Sequence, residues 1–136
     1  MKKMYLEAKK EYQKEDVITI YSDPSCCCSS SKWKRKDIHR FCIEGASGVM
    51  NLCAERVAAL NMYINTKETK IKRMIAFRSE PPKINGGMPC GACREFLMQL
   101  SYENRNMEIM TDFESRKTML LKDLVPNWWG DKRYNK

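Results

Sequence analysis

Long apolar runs are missing from the sequence, although 43% of its 136 residues are hydrophobic. A membrane-spanning helix needs about 18 or more consecutive apolar residues, so we expect no membrane span. The lysine-containing N-terminus is not followed by the apolar segment that marks an export signal. These absences argue against an integral membrane protein and favour a cytoplasmic one.

Internal repeats and low-complexity linkers are also absent, and histidine is scarce. Because no shift in composition marks a boundary, we expect a single domain over residues 1–136. The only histidine, His39, falls on a predicted strand away from the cysteine-rich motifs, so we assign it a structural role.

The net charge of +8 raises the question of nucleic-acid binding, because clustered Lys and Arg residues neutralise phosphates. Positive residues are spread among acids along the chain, however. The one dense run, Lys32–Lys36, is short enough to form a solvated hairpin tip. The charge therefore favours a solvated surface over a nucleic-acid interface.

Predicted helices and strands alternate along the chain. Residues 2–14 form a predicted amphipathic helix with Leu6 on its apolar side, and a second helix runs from about Leu52 to Asn65 with Tyr63 on its apolar side. A third spans Gly91–Leu100. The predicted strands are Val17–Tyr21, Cys26–Ser31, Asp37–Ile43, Ile71–Phe77, Met107–Thr111 and Thr118–Leu121. This alternation favours a sheet that helices cover on both faces.

The seven cysteines are an odd number. In a reducing compartment they are better interpreted as metal ligands, catalytic groups or core thiols than as disulfides. Because adjacent strand residues point to opposite faces, Cys26, Cys27 and Cys28 cannot easily converge on one ion, and we interpret them as small core thiols.

The segment "MPCGACREF", from Met88 to Phe96, places Cys90 and Cys93 at the start of a predicted helix, where free backbone N–H groups favour thiolates. The pair alone is compatible with a redox couple, half of a metal site or two neighbouring buried thiols. A redox couple is expected in a βαβ context near the start of the chain, whereas this pair comes late. A metal site needs further ligands.

A third cysteine supplies such a ligand. Cys53, in "LCAER", precedes Cys90 by 37 positions, and Glu55 follows Cys53 by two. Cys-x-Glu followed by Pro-Cys-x-x-Cys is typical of the zinc deaminases, in which the Glu is an acid and base rather than a ligand.

At these motifs the chain resembles the small cytidine deaminases. "EGASGVMNLCAER" is similar to the stretch that ends in that family's Cys-Ala-Glu-Arg box, and "PCGACREFL" resembles its second box. "KDLVPNWWG" is similar to its Leu-Pro segment and the aromatic that follows. The resemblance, over roughly residues 38–130, implies a three-layer α/β/α fold with a mixed sheet of about five strands. It also implies a hydrolytic deaminase that converts a cytosine-type nucleoside, cytidine or deoxycytidine, to its uracil form and releases ammonia.

The resemblance assigns Cys53, Cys90 and Cys93 as ligands of one zinc ion per chain and Glu55 as the catalytic proton carrier. Zinc lowers the pKa of a bound water, which makes a nucleophile available near neutral pH. Arg56 matches the family position that hydrogen-bonds the ligand sulfurs and offsets their negative charge.

Substrate contacts are also implied, and here the chain departs from the family. Glu44 matches the ribose-binding carboxylate and Ala54 lies in the first box, but Cys42 replaces an Asn that holds the ribose 3'-hydroxyl. Met88 stands where Ser or Thr is usual, and the N-terminal Phe pattern that stacks on the base has no clear counterpart. Because these departures concern the substrate, a modified cytosine nucleoside such as blasticidin S is an alternative.

Related deaminases form tetramers in which a tail aromatic reaches a neighbouring active site. Trp129 aligns with this aromatic, so the resemblance implies a homotetramer with Trp129 near another subunit's substrate. The alternative is ordinary apolar packing of Trp128 and Trp129.

Two other functions remain open. A structural zinc module would use four protein ligands, with Cys42 as the candidate fourth. A deaminase that edits RNA or single-stranded DNA is compatible with the positive charge. Those enzymes, however, usually carry His in the first box and need extra segments to hold flipped-out nucleotides.

Overall fold

Five strands form one mixed sheet in the computed structural model, which describes residues 3, 5, 6 and 9 and the ranges 27–32, 37–41, 51–77 and 80–134. The strands are β1 (Cys27–Lys32), β2 (Asp37–Phe41), β3 (Ile71–Phe77), β4 (Glu108–Asp112) and β5 (Lys117–Leu120). Their order is β2-β1-β3-β4-β5, and β3 pairs with β4 in parallel while the other neighbours are antiparallel. The predicted mixed sheet of about five strands is confirmed.

The hairpin of β1 and β2 forms where the sequence predicts it, with Ser29 opposite His39. Each of the predicted strands in the described ranges agrees with the structure to within two residues at either end. The predicted strand Val17–Tyr21 lies outside the described residues, as do Cys26, Cys42 and Glu44.

Helices precede, connect and follow the strands. They are α1 (Ala54–Thr66), α2 (Gly91–Leu100), a 3-10 helix (Tyr102–Asn106), α3 (Leu121–Leu124) and α4 (Asp131–Tyr134), and residues 3, 5, 6 and 9 are helical, in agreement with the prediction for 2–14. Helix α1 ends at Lys67, which adopts a left-handed conformation (φ 58°) and donates its backbone N–H to the Tyr63 carbonyl. Within the described residues, no helix is long and apolar enough to cross a membrane.

The alternation of side chains along β3 separates two apolar clusters on opposite faces of the sheet. Met74 and Ala76 point to the face that α1 and α2 cover, and Ile75 and Phe77 point to the other face. The first cluster contains Ala54, Ala59, Met62, Ile71, Met74, Ala76, Leu97, Met98, Met107, Ile109, Leu121 and Trp128. In the second, Tyr5 from the N-terminal helical residues packs on the sheet. The sheet therefore lies between helical layers, which confirms the three-layer α/β/α prediction.

Two predicted apolar positions are wrong by one residue. Leu6 and Tyr63 are 50% and 43% exposed, whereas their preceding neighbours, Tyr5 and Met62, are buried. The Tyr5 ring fits between the rings of Phe77 and Phe113, with both centroid distances 4.8 Å. The side of α1 that faces the sheet is formed largely by small alanines, which carry a weaker hydrophobic signal in sequence than Tyr63 does.

A fully buried asparagine in the 3-10 helix ties the two sides of the first cluster together. Asn104 Oδ1 accepts the backbone N–H of Ile71 at 2.7 Å, and its Nδ2 donates to the carbonyls of Thr69 and Leu97, each at 3.0 Å. One side chain thus satisfies backbone groups before β3, at the start of β3 and in α2. This network fixes the position of α2 relative to the sheet.

We expect Asn104→Ala to lower the free energy of unfolding by about 2–5 kcal/mol, because it leaves buried backbone groups without partners. Urea denaturation of the zinc-loaded protein measures this change. The matched control is Asn106→Ala, at an exposed position on the same 3-10 helix, which should change the value by less than about 0.5 kcal/mol. Equal effects of the two substitutions would contradict the role given to Asn104.

Candidate metal centre

The connections around β3 bring the beginnings of two helices together. Helix α1 is followed directly by β3, and β3 is followed by a loop and α2, which leads into the parallel partner β4. Helix α1 packs against the sheet and runs antiparallel to the strand that follows it. Its N-terminus therefore lies near the C-terminal end of β3. Helix α2 begins beyond the same end, so the N-termini of α1 and α2 meet at the C-terminal end of β3.

Cysteines occupy the first positions of both helices. Cys53 is the N-cap of α1 and Cys90 is the N-cap of α2, both with extended backbone, and Cys93 lies in the first turn of α2. The Sγ atoms of Cys53 and Cys90 are 3.8 Å apart, those of Cys90 and Cys93 are 3.5 Å apart, and all three lie within 4.8 Å of one another. The structure therefore brings together the three cysteines that the sequence predicts as ligands.

The spacing of the sulfurs fits a tetrahedral zinc ion. Two thiolates at about 2.3 Å from such an ion lie about 3.8 Å apart, close to the distances observed here. Cys93 is buried, Cys53 is partly buried and Cys90 is exposed. Among the described residues, this cluster contains three possible ligand residues and no fourth. Three protein ligands on a tetrahedral ion would leave one coordination position for a non-protein ligand.

The pKa values of the three thiols shift in different directions. Burial raises the pKa of Cys53 and, to a greater extent, that of Cys93. Partial burial also acts to raise the pKa of Cys90, but hydrogen bonds from the backbone amide and thiol of Cys93 act against it. The net shift in the pKa of Cys90 is downward. A metal ion would have to displace the protons of Cys53 and Cys93, so metal binding depends on pH.

Glu55 is buried beside this cluster, with only 4% of its surface exposed. Its Oε2 atom is fully enclosed and has no hydrogen-bond partner within the described part of the chain. Burial raises the pKa of the carboxyl group, and its negative charge in turn raises the pKa of all three thiols. Buried polar atoms in proteins are normally hydrogen-bonded, so this carboxyl oxygen is unusual among the described residues.

Arg56 lies beside Cys53 and Cys93. Its Nη2 donates to the Asn51 carbonyl at 2.7 Å, which fixes the guanidinium against the loop before α1. Burial lowers the pKa of Arg56, but the adjacent Cys53 and Cys93 raise it by more, so the net shift is upward. The position of the guanidinium agrees with the predicted role of offsetting thiolate charge.

The loop that leads to Cys90 is held by groups that the sequence analysis did not identify. Asp112, at the end of β4, accepts the backbone N–H of Ile84 at 2.9 Å and that of Ser115 at 2.8 Å. These bonds lower the pKa of its carboxyl group to about 2. Gly87 (φ 68°) approaches the Ala76 carbonyl so closely that a Cβ atom would lie 2.4 Å from its oxygen. These contacts hold the described part of the loop, residues 80–90, on the path that leads to Cys90 and Cys93.

Arg94, next to Cys93, anchors α2 to the C-terminal segment. Its Nε donates to the Pro89 carbonyl at 2.8 Å and its Nη1 to the Leu124 carbonyl at 3.1 Å. No spacing rule predicts contacts between residues 30 positions apart, so this role of Arg94 could not be predicted from the sequence.

The predicted substrate-binding residues are only partly covered by the described structure. Cys42 and Glu44 lie outside it, and their roles stay predictions. Ala54 is completely buried, and its predicted role in substrate binding stays a prediction. Trp129 is 52% exposed, whereas Trp128 is buried, so the two tryptophans do not share one environment.

The comparisons with known proteins agree with this structure. No protein-family model matches the chain. A cytidine deaminase from Mycoplasma genitalium is 29% identical over 85 residues, which cover 62% of this chain and 63% of that protein. The match thus spans less than two thirds of that relative's length.

Solved cytidine deaminase structures share the fold. The enzyme from Mycobacterium tuberculosis matches with a TM-score of 0.72 and 20% identity over 95% of this chain and 96% of its own. The one from Burkholderia pseudomallei matches with a TM-score of 0.69 and 22% identity over 89% and 93%. The predicted resemblance to the cytidine deaminases and the α/β/α fold are confirmed.

We expect Cys90→Ala and Cys93→Ala to reduce the zinc content from one ion per chain to near none and to lower thermal stability, since metal binding and folding are coupled. Elemental analysis of the purified proteins and their melting temperatures measure these effects. Cys28→Ser, which removes a thiol on β1, is the control and should retain zinc. Full zinc occupancy in both alanine variants would remove the pair from the site.

Proposed function

We propose that this relative of the cytidine deaminases is a zinc-dependent hydrolytic deaminase of cytosine-type nucleosides in the cytoplasm. The observation that carries the proposal is the enclosed Glu55 Oε2 atom, which has no hydrogen-bond partner among the described residues and lies beside three sulfurs whose spacing fits zinc. Burying a carboxyl group without a partner is unfavourable. A purely structural zinc site gives no reason to keep Glu55 in such a position.

Cys53, Cys90 and Cys93 would hold the zinc ion, which supplies a water of lowered pKa as the nucleophile when it is bound. The helix N-termini that carry the cysteines stabilise negative charge on the sulfurs. Arg56 adds a fixed positive charge beside Cys53 and Cys93. Together they reduce the cost of collecting three thiolates in one place.

Glu55 moves the protons. Hydrolysis adds one water to the ring carbon that bears the amine, and the water oxygen becomes the carbonyl of the product. Glu55 accepts one proton from this water and passes it to the ring nitrogen. It then accepts the second proton, from the hydroxyl now on the ring carbon, and passes it to the amine, so that ammonia leaves as the C–N bond breaks and the C=O bond forms. Burial raises the pKa of the carboxyl group, which favours a side chain that both accepts and donates a proton near neutral pH.

Cytidine and deoxycytidine are the first candidate substrates. Cys42 and Met88 replace polar residues of the family pattern, so a modified cytosine nucleoside such as blasticidin S is the alternative within the same reaction. Met88 is partly buried in the loop just before Pro89 and Cys90, where a change of residue would alter the substrate pocket without touching the ligands.

An absorbance assay with cytidine, deoxycytidine, cytosine, blasticidin S and adenosine tests the reaction, because a cytosine-type ring loses its long-wavelength absorbance when the amine becomes a carbonyl. We expect the zinc-loaded protein to turn over at least one cytosine nucleoside and to leave adenosine unchanged. Glu55→Gln should retain zinc but lose about 10²–10⁴-fold or more in turnover. An active Glu55→Gln protein, or adenosine as the preferred substrate, would contradict the proposal.

The proposal includes a homotetramer in which Trp129 lies near the substrate of a neighbouring subunit. A nucleoside pocket has to cover most of its ligand, and a chain of 136 residues has little length available for a lid. Trp129 is exposed on a short segment between Pro126 and helix α4, where an adjacent subunit can reach it.

Light scattering should therefore give a mass close to four chains, about 64 kDa from the chain mass of 16.0 kDa. Trp129→Ala should raise KM by about 10-fold or more, the order of one aromatic contact, while its zinc content stays unchanged. A fully active monomer at nanomolar concentration would overturn this part of the proposal.

A further inference from the structure

Both indole groups of the C-terminal segment donate to one carboxylate on α2. The Nε1 of Trp128 donates to Glu95 Oε2 at 2.8 Å, and the Nε1 of Trp129 donates to Glu95 Oε1 at 2.7 Å. Gln99 Nε2 donates a third bond, to Oε1, at 2.6 Å. Because each indole contacts a separate oxygen, the carboxylate holds the two rings in a fixed relation to each other and to α2.

The two tryptophans have different surroundings. Trp128 is buried in the first cluster, and its ring covers Gly130 so closely that a Cβ atom there would lie 2.4–2.6 Å from the indole. Trp129 projects outward, with its ring centroid 5.8 Å from that of Trp128 and 5.1 Å from the Arg133 guanidinium carbon. Packing therefore holds Trp128 in place, whereas polar contacts at its edge and face hold Trp129.

We propose that Glu95 is a positioning residue that fixes the exposed Trp129 ring in the orientation required to cover a neighbouring subunit's substrate. This inference rests on the proposed function, in which Trp129 contributes to that pocket. An exposed Trp side chain would otherwise sample several rotamers, and each binding event would carry the cost of ordering it. Glu95 lies two positions after Cys93 on α2, so the same helix carries a predicted metal ligand and the anchor of the aromatic.

A carboxylate suits this role better than an amide. It offers two acceptor oxygens, whereas glutamine offers one oxygen and a nitrogen that itself donates. In Glu95→Gln the single oxygen should stay with Trp128, because leaving a buried donor unsatisfied costs more than leaving an exposed one. The substitution therefore releases Trp129 selectively and leaves its ring unchanged.

Steady-state kinetics of the zinc-loaded protein, with the cytosine nucleoside that it turns over best, tests the inference. We expect Glu95→Gln to raise KM about 3- to 10-fold, the order of one hydrogen bond, with kcat within about 2-fold. Trp129→Phe, which keeps a ring but removes the donor, should also raise KM. Gln99→Ala is the matched control, because it removes the third bond to Glu95 without touching either indole, and KM should not change.

A double-substitution cycle separates positioning from general loss of structure. If Glu95 acts through Trp129, Glu95→Gln has no further effect on KM in the Trp129→Ala background. The same fold-increase in both backgrounds, or no increase in the unmodified background, would overturn the inference. Zinc content and melting temperature identify variants that fail to fold. Cytidine binding can also be compared without turnover, by calorimetric titration into the inactive Glu55→Gln protein with and without Glu95→Gln.

The outcomes for the two proposals are distinct. A KM that rises in Trp129→Ala but not in Glu95→Gln overturns the role of Glu95 and leaves the proposed function intact. An unchanged KM in Trp129→Ala overturns the contribution of Trp129 to the pocket and, with it, the positioning role. If no nucleoside is deaminated but Glu95→Gln still weakens the binding of cytidine in the calorimetric titration, the proposed reaction is overturned. The role of Glu95 in ligand binding is then supported.

Discussion

The parallel pairing of β3 with β4 determines where the chemistry of this protein lies. Parallel neighbours cannot be joined by a tight turn, so a crossover is required, and α2 with its preceding loop supplies it. Since α1 leads into β3 from the same face, the beginnings of the two helices meet beyond one end of that strand. Three cysteines at those positions converge, and the contacts of Asp112 and Gly87 hold the loop that leads to Cys90.

The charged groups around the three sulfurs determine how readily the thiols lose their protons. Burial and the Glu55 charge both raise the pKa of Cys53 and Cys93, so the thiolates that a metal needs are unfavourable without compensation. Helix N-termini and Arg56 provide that compensation. Glu55 increases the cost of forming the thiolates, and its buried Oε2 atom has no hydrogen-bond partner among the described residues; in the proposed function its partner is the substrate or the reacting water.

The parts of the structure that the sequence predicts are those governed by local rules. The strand β3 is predicted with its observed bounds, Ile71–Phe77, and the Pro-Cys-x-x-Cys spacing places Cys90 and Cys93 at the start of α2. The parts that it does not predict depend on residues far apart in the chain. Asn104 contacts Ile71 and Thr69, and Glu95 binds Trp129, through contacts that span more than 30 positions. The apolar side of α1 is missed for a different reason, since close approach to the sheet selects small alanines over the larger Tyr63.

The number of sulfur atoms around the bound zinc ion is the most direct test of an open, catalytic site. X-ray absorption spectroscopy of the resting, zinc-loaded protein measures this number together with the distances. We expect three sulfur neighbours at about 2.3 Å and one oxygen or nitrogen neighbour at about 2.0–2.2 Å. Four sulfur neighbours would show that a further cysteine such as Cys42 closes the site, and a closed four-thiolate centre would contradict a deaminase.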